Sequence, residues 1–279
     1  LGYAAMKNNT TGSSNAAFGF ASQCCLTTGS NNTTVGTSSR RFAGIGISNT
    51  AVGTNAQYCG GNCNSNTAVG ACSMYFNVSG AENTAVGRDS LRVSVTGAQN
   101  VAVGTYAQYV SLASYNTAVG YSSLKCNTWG TQNTALGYCA VIKNTTGIRA
   151  TGMGYFALGC HTTGQNNTGV GNQVMLKGTT GGQNTGLGSY AGICNIDCSE
   201  NTSIGYAALY ANVASCNTAL GSRALCVNTT GTKNVAIGYN TLSTNVTGSN
   251  NVAIGLEALF KSNAADNTAV GSSALRCNL

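Results

Sequence analysis

Charge is what this sequence has least of. Only 7% of its 279 residues are charged, whereas ordinary globular proteins have about 25%. Neutral polar groups, attached sugars or neighbouring molecules must therefore cover the surface in place of charges. Thirteen Lys and Arg against six Asp and Glu give a net charge of +7. The basic residues are scattered, and Arg40-Arg41 is their only adjacent pair, so the sequence does not predict a nucleic-acid-binding stripe.

Proline, long apolar runs and catalytic groups are also missing or scarce. There is no proline and no run of eighteen apolar residues, so no membrane span is predicted. The single histidine, His161, has no obvious partner for acid–base or triad chemistry among the six acidic residues. The repeats lack the aspartate column of calcium-binding β-rolls. We therefore expect neither enzymatic activity nor a metal or other cofactor.

Cysteine, in contrast, is abundant. Thirteen cysteines are too many for a typical cytosolic protein and indicate an oxidising, extracellular setting. The odd number leaves at least one thiol free or paired between chains. The chain begins at Leu1 rather than at a methionine, which is expected of a processed product or of a segment of a longer protein.

A repeat of 16 or 17 residues runs through the entire chain. It is marked by the phrase Asn-Thr-Ala-Val-Gly and its close variants, as at Asn49–Gly53 and Asn116–Gly120. Of the sixteen intervals between the closing glycines, thirteen are 17 residues long and three are 16. The series is Gly2, Gly19, Gly36, Gly53, Gly70, Gly87, Gly104, Gly120, Gly137, Gly154, Gly171, Gly188, Gly205, Gly221, Gly238, Gly255 and Gly271. Residues 1–279 are therefore predicted to form one continuous repeat domain.

Two apolar columns recur along the repeats, the second of which shifts one residue later in some coils, as at Gln57-Tyr58. One lies directly before the glycine, as at Val52, and the other lies four residues after it, as at Leu91. Apolar stretches this short and this close together suit short strands joined by turns rather than helices. Stacked coils would merge each column into a continuous core. The sequence thus predicts an all-β fold, a β-solenoid (a parallel β-roll or β-helix) of about seventeen 16–17-residue coils.

An asparagine column accompanies the glycines. Fifteen of the sixteen glycines preceded by a coil have asparagine four residues earlier, and Ala150 is the exception. Asparagine could be there for its turn preference alone. Since Asp, Ser and Gly never replace it, we instead expect a ladder of amides stacked at the strand spacing. Its members include Asn49, Asn66, Asn83, Asn100, Asn116, Asn133, Asn184, Asn217, Asn234, Asn251 and Asn267.

Two cysteine pairs occupy matching positions eight coils apart, Cys59 with Cys63 and Cys194 with Cys198. In both pairs the second cysteine replaces a glycine of the turn, so a disulfide that closes the turn is the favoured interpretation. Zinc is the alternative, but it needs four ligands and each pair supplies only two.

Sequons for N-glycosylation recur in one turn position, at Asn9, Asn77, Asn144, Asn228 and Asn245. In a secreted eukaryotic protein, glycans there would explain how an uncharged surface stays soluble. In a bacterial or phage protein the sites would be bare, and Asn-Thr-Thr-Gly is also a favourable turn sequence.

The Asn-Thr-Ala-Val-Gly phrase, with the Ala-Leu and Asn-Thr-Thr-Gly that follow it, resembles the repeat of predicted fibre and surface proteins from phages, viruses and environmental microbes. It resembles more distantly the head repeats of YadA-like trimeric autotransporter adhesins. The resemblance extends over the whole chain and implies a left-handed parallel β-roll that assembles as a trimer. The coil here is longer than in the adhesin heads, and those heads are not rich in cysteine.

These patterns predict a structural role outside the cell. We expect an extracellular fibre or adhesin shaft whose partner is another copy of itself, side by side or end to end, with glycans as further partners. Since the chain begins and ends within a coil, the rod is expected to continue. Two alternatives are a phage tail-fibre or receptor-binding shaft and an ice-binding solenoid. The ice-binding hypothesis is based on the threonine that lies three residues before the glycine in twelve of sixteen coils.

Overall fold

The computed structural model describes residues 2–278 and shows an all-β parallel solenoid. Its chain separates into two compact units, one of residues 1–139 and 144–146 and the other of residues 140–143 and 147–279. Each unit has a main parallel sheet of eight three-residue strands. None of the described segments is a helix with the length and hydrophobicity that crossing a bilayer would need.

In the first unit, each coil contributes one strand that pairs with its counterpart in the next coil. The main-sheet strands are β1 (Ala16–Phe18), β2 (Thr33–Val35), β3 (Thr50–Val52), β5 (Thr67–Val69), β7 (Thr84–Val86), β8 (Val101–Val103), β9 (Thr117–Val119) and β10 (Thr134–Leu136). A second, two-stranded sheet pairs β4 (Cys59–Gly60) with β6 (Phe76–Asn77).

The second unit repeats this arrangement. Its strands are β11 (Thr151–Met153), β12 (Thr168–Val170), β13 (Thr185–Leu187), β14 (Thr202–Ile204), β15 (Thr218–Leu220), β16 (Val235–Ile237), β17 (Val252–Ile254) and β18 (Thr268–Val270). Pairing is parallel and in register, so that equivalent residues face one another, as Thr168 faces Thr185. The predicted fold class is confirmed.

The core is built from smaller side chains than the sequence predicts. In each strand of the main sheet the middle residue, usually alanine, is buried, as are Ala51 and Ala236. The apolar residue before the glycine points outward, and Val35 and Leu220 are 41% and 42% exposed. Because side chains alternate along a strand, burying the asparagine also buries the alanine two residues later. The residues on either side of the alanine, which include the apolar residue before the glycine, then face outward, so the expectation that this apolar column fills the core was wrong.

The second predicted core column is confirmed. The residue four places after the glycine is buried in most coils, as in Leu91, Leu124, Leu209 and Leu242. In the second unit these leucines pack with the strand alanines into one apolar cluster. Burying a leucine contributes roughly 1.5–3 kcal/mol, and hydrogen bonds between coils supplement this narrow core.

In the turn after each closing glycine, residues other than glycine adopt the left-handed backbone conformation. In the coil of Gly120, Ser122 and Leu124 have φ of 53° and 48°. The same two positions are left-handed in the coil of Gly238, at Asn240 and Leu242. Left-handed backbone is unfavourable for leucine. The buried side chains and the hydrogen bonds to neighbouring coils hold the turn in this conformation.

Candidate functional site

The asparagine column forms the ladder that the sequence predicts. Asn66 donates from its backbone amide to Asn49 Oδ1 at 3.0 Å, and its Nδ2 donates to the Gly80 carbonyl at 2.9 Å. Asn66 Oδ1 then accepts the backbone amide of Asn83 at 2.9 Å. The same pattern recurs in the second unit, where Asn251 donates to Asn234. The side chains are buried, so the ladder is a structural element rather than a binding surface.

A second buried column lies seven residues after the glycine, where the sequence placed its glycosylation sites. Asn77, Asn144, Asn228 and Asn245 are all fully buried. Asn245, for example, donates to Gly248 O at 2.9 Å and to Asn228 Oδ1 at 3.1 Å. Asn9 is only partly buried and donates to Gly12 O at 2.9 Å. Attaching a glycan to any of these four amides would break their hydrogen bonds and require the side chain to leave the core. Burial therefore disfavours glycans at these four positions.

The sequence signal for this column is compatible with two structures. Asn-Thr-Thr-Gly matches both a sequon and a turn in which asparagine bonds to the backbone three residues later. Gly80 donates to Asn77 Oδ1 at 3.0 Å, and Asn77 Nδ2 returns a bond to Gly80 O at 3.0 Å. The asparagine therefore serves as a turn residue whose side chain faces the core.

The two cysteine pairs do not form the predicted disulfides, since all four thiols are free. In each pair the second cysteine, Cys63 or Cys198, is buried, whereas the first, Cys59 or Cys194, is partly exposed. The expected cross-link of the turn is absent because the two cysteines of each pair do not lie within disulfide distance. Zinc has no ligand set there either, since the described residues contain no group of three or more His, Cys, Asp or Glu that could hold a metal.

Cys63 belongs to a buried polar group that sequence reasoning missed. Arg40 and Gln57 stand where most coils have an apolar residue, and both are fully buried. Arg40 Nη1 donates to Asn32 Oδ1 at 2.5 Å, and Gln57 Nε2 donates to the Cys63 sulfur at 3.1 Å. The guanidinium of Arg40 also lies beside this thiol. Burial lowers the pKa of Arg40 and raises the pKa of Cys63, which disfavours the charged form of each.

His161 is a buried residue of the core. It occupies the buried turn column, and Asn167 Nδ2 lies 2.9 Å from its Nε2. That amide also donates to Gly181 O at 2.8 Å. Because an amide nitrogen can only donate, Nε2 must accept, which places the imidazole proton on Nδ1. Burial lowers the pKa of His161 below its ordinary value of 6.5 and favours this neutral form.

Acidification should therefore destabilise the protein through this one side chain. Because the folded-state pKa is lowered, only the unfolded chain takes up a proton as the pH falls below about 6.5. We expect unfolding free energy to fall by at most about 1.3 kcal/mol between pH 7 and pH 5.5. Urea titrations at several pH values measure this slope. His161→Asn, which restores the usual residue of the column, should flatten it; an equal slope in the variant would contradict the assignment.

The outer face of the main sheet is a regular array of threonine and apolar residues. In each strand the first and third residues point outward around the buried middle residue. In-register pairing places Thr67 beside Thr84 and Val69 beside Val86. The third-position side chains Leu187, Leu220 and Ile254 are 37–48% exposed. An apolar stripe thus runs along the strand face of each unit.

Aromatic and cationic side chains form another row on the first unit. Tyr58 and Tyr75 stack with ring centroids 4.8 Å apart, and Phe42 meets Tyr58 edge-on at 5.1 Å. The guanidinium of Arg92 lies between the rings of Tyr75 and Tyr109, at 5.4 and 5.8 Å. Asp89 binds Arg92 at 3.0 Å. Each ring packs against a ring or a guanidinium of a neighbouring coil, so this row stabilises the stacking of successive coils.

Comparisons of the chain with protein-family models, with curated protein sequences and with solved structures found no match.

Proposed function

We propose that this chain is the shaft of an extracellular fibre, with a structural rather than a catalytic role, and that copies of it associate side by side through the strand face. The observation that carries the proposal is the apolar stripe on that face. Solvent-exposed sheets normally alternate apolar residues inward with polar residues outward. Here the larger apolar residue of each strand faces outward and alanine faces inward.

The burial pattern supports a partner on this face rather than on another. Contiguous apolar surface on a soluble chain typically marks an interaction site. The stripe repeats with the coil, so a second copy can match it residue for residue along its length. Within each unit the asparagine ladder links successive coils through hydrogen bonds and makes them rigid. A rigid element with a self-complementary face suits a shaft, including that of a phage fibre or adhesin.

Extracellular placement rests on composition. Thirteen cysteines in 279 residues are typical of oxidising compartments. All thirteen thiols are free within the chain, and Cys126, Cys216 and Cys277 are exposed. Exposed thiols of this kind are available to pair between laterally associated copies.

The association is tested by placing charge on the stripe. Leu187→Glu together with Leu220→Glu should convert the oligomer to a monomer at micromolar concentration, because each carboxylate would be buried against apolar side chains. Sedimentation velocity measures the change. Ile196→Glu with Val213→Glu is the matched control, since these exposed apolar residues lie outside the strands and should leave the oligomer intact. A monomeric unmutated chain at 50 µM, a concentration chosen for the assay, would contradict the proposal.

Ice binding is a second candidate that one observation favours. Equivalent threonines face outward in register, as at Thr151, Thr168, Thr185 and Thr202. This gives a periodic array of hydroxyl and apolar groups on one sheet. The two functions use the same face in opposite ways, since lateral association buries it and ice binding leaves it open. Thermal hysteresis in a monomeric sample would favour ice binding, and an oligomer without hysteresis would favour the shaft.

A further inference from the structure

The second unit carries a notch on the turn that follows the closing glycines. The fifth residue after the glycine is Tyr210, Cys226, Ser243 and Phe260 in four successive coils. The two small residues in the middle leave a gap between the two aromatic ones. Because coils are spaced by about 4.8 Å, the backbones of the two wall residues are about 14 Å apart. The resulting cavity has a volume of about 690 Å³.

The equivalent row of the first unit shows what the notch lacks. There Tyr58 and Tyr75 fill the same position in consecutive coils, and their rings stack on each other at 4.8 Å. Each ring thus covers the face of its neighbour. In the notch, Cys226 and Ser243 cannot do this, so Tyr210 and Phe260 line an open space.

Neighbouring contacts fix the walls in place. The guanidinium of Arg276 lies 5.4 Å from the ring centroid of Phe260, and Arg276 Nε binds Glu257 at 2.7 Å. Tyr190 and Tyr206 also line the notch and meet edge-on, with ring centroids 6.0 Å apart. Phe260, Tyr190 and Tyr206 are therefore held in position before any ligand arrives, which reduces the entropy cost of binding.

One unpaired positive charge lies at the notch. Arg223 is exposed and lines the cavity, and no ion pair to it occurs among the described residues. Its guanidinium lies near enough to the Cys226 thiol to oppose the rise that burial causes in the pKa of that thiol. Arg276, in contrast, is already neutralised by Glu257. Asn240 and Ser243 add neutral polar groups beside the charge.

We propose that this notch binds a pyranose ring that carries a carboxylate, as in a uronic acid residue of a polysaccharide. The aromatic walls offer flat apolar surface to the C–H faces of the ring. Arg223 can bind the carboxylate through two parallel hydrogen bonds, which neutral sugars cannot form. Asn240 and Ser243 can bind ring hydroxyls, and the volume lies within the range of small-molecule sites. The inference does not depend on the shaft proposal, because the notch lies within a single chain.

The test uses the full chain and D-glucuronate as the probe, followed by saturation-transfer difference NMR. We expect saturable binding with Kd on the order of 1 mM, as befits a ligand of this size. D-glucose, which lacks the carboxylate, should bind at least about ten-fold more weakly. Benzoate, which lacks the hydroxyls, should also bind at least about ten-fold more weakly. Equal binding of all three probes, or no saturable signal from glucuronate, would overturn the proposal.

Variants locate the binding on the chain. Ser243→Tyr should abolish it by filling the gap, as Tyr75 does in the first unit. Arg223→Gln should raise Kd for glucuronate about ten-fold or more and leave glucose binding unchanged. Lys233→Gln removes an equal charge from outside the notch and should leave Kd unchanged. Unaltered thermal unfolding shows that each variant is folded. Equal weakening by Arg223→Gln and Lys233→Gln would show a nonspecific charge effect and overturn the proposal.

Discussion

Gly53→Ala is expected to lower the free energy of unfolding by about 3–5 kcal/mol. Gly53 has φ of 132°, where L-residues are strained. A Cβ built there would also lie 2.6 Å from the Gly70 carbonyl oxygen of the next coil. Both atoms of the clash are fixed by backbone, so neither can rotate away. Equilibrium urea denaturation followed by circular dichroism measures the loss.

Gly271 provides a matched control in the same column. Its φ of 124° imposes similar strain, but the nearest atom to a Cβ built there is Ala274 Cβ, at 3.9 Å. Gly271→Ala should therefore cost only about 1–2 kcal/mol. The difference between the two variants measures the close approach of successive coils. Equal losses would mean that backbone strain alone explains the glycine column.

Asn234→Leu is expected to cost about 3 kcal/mol, although leucine has a similar size and is apolar. Asn234 Oδ1 accepts two bonds from Asn251, from its backbone amide at 3.0 Å and from its Nδ2 at 3.1 Å. In the variant, the buried backbone N–H of Asn251 has no acceptor, and an unsatisfied buried donor is costly. Asn251 Nδ2 keeps its bond to Ala264 O at 2.9 Å. Urea denaturation gives the free energy.

The control for this variant is Asn267→Leu, because Asn267 is the last asparagine of the ladder. Asn267 Oδ1 accepts from Asn278 Nδ2 at 2.8 Å rather than from the backbone of another ladder asparagine. Asn267 is also only partly buried. Its replacement should therefore cost less than about 1 kcal/mol. If Asn234→Leu were equally mild, the ladder would be a consequence of the fold and not a source of its stability.

The apolar column before the glycine was recognised correctly in the sequence, but it was assigned to the buried side of the strand instead of the exposed side. The sequence marks Val52 as apolar and recurrent, and apolar recurrence usually means burial. Asn49 and Ala51 lie on the same side of the strand as each other, and both are fully buried. Once the asparagine ladder faces inward, alternation sends Val52 outward. The inward ladder and the buried valine could not both be correct, and the folded strand buries Asn49 and Ala51 instead of Val52.

Turn positions were harder to predict because one sequence serves two purposes. Asn228 lies in Asn-Thr-Thr-Gly, which is a sequon and also a turn motif. Its burial depends on stacking, since its Nδ2 donates to Asn212 Oδ1 of the preceding coil at 2.7 Å as well as to Gly231 O of its own turn at 2.8 Å. Similarly, the spacing of Cys194 and Cys198 permits a disulfide, and only their positions in the folded coil separate the thiols.

The sequence alone determined the repeat length, the all-β solenoid and the inward asparagine ladder, because each depends on a column that recurs in nearly every coil. A recurring column reports a condition that every coil must meet, such as the close approach at Gly53. Only the tertiary structure decided which face of the strand is solvent-exposed and where side chains leave space between coils. Those features depend on neighbours 16 or 17 residues apart, as with the gap that Cys226 and Ser243 leave between Tyr210 and Phe260. Their position is fixed by stacking, which no single coil contains.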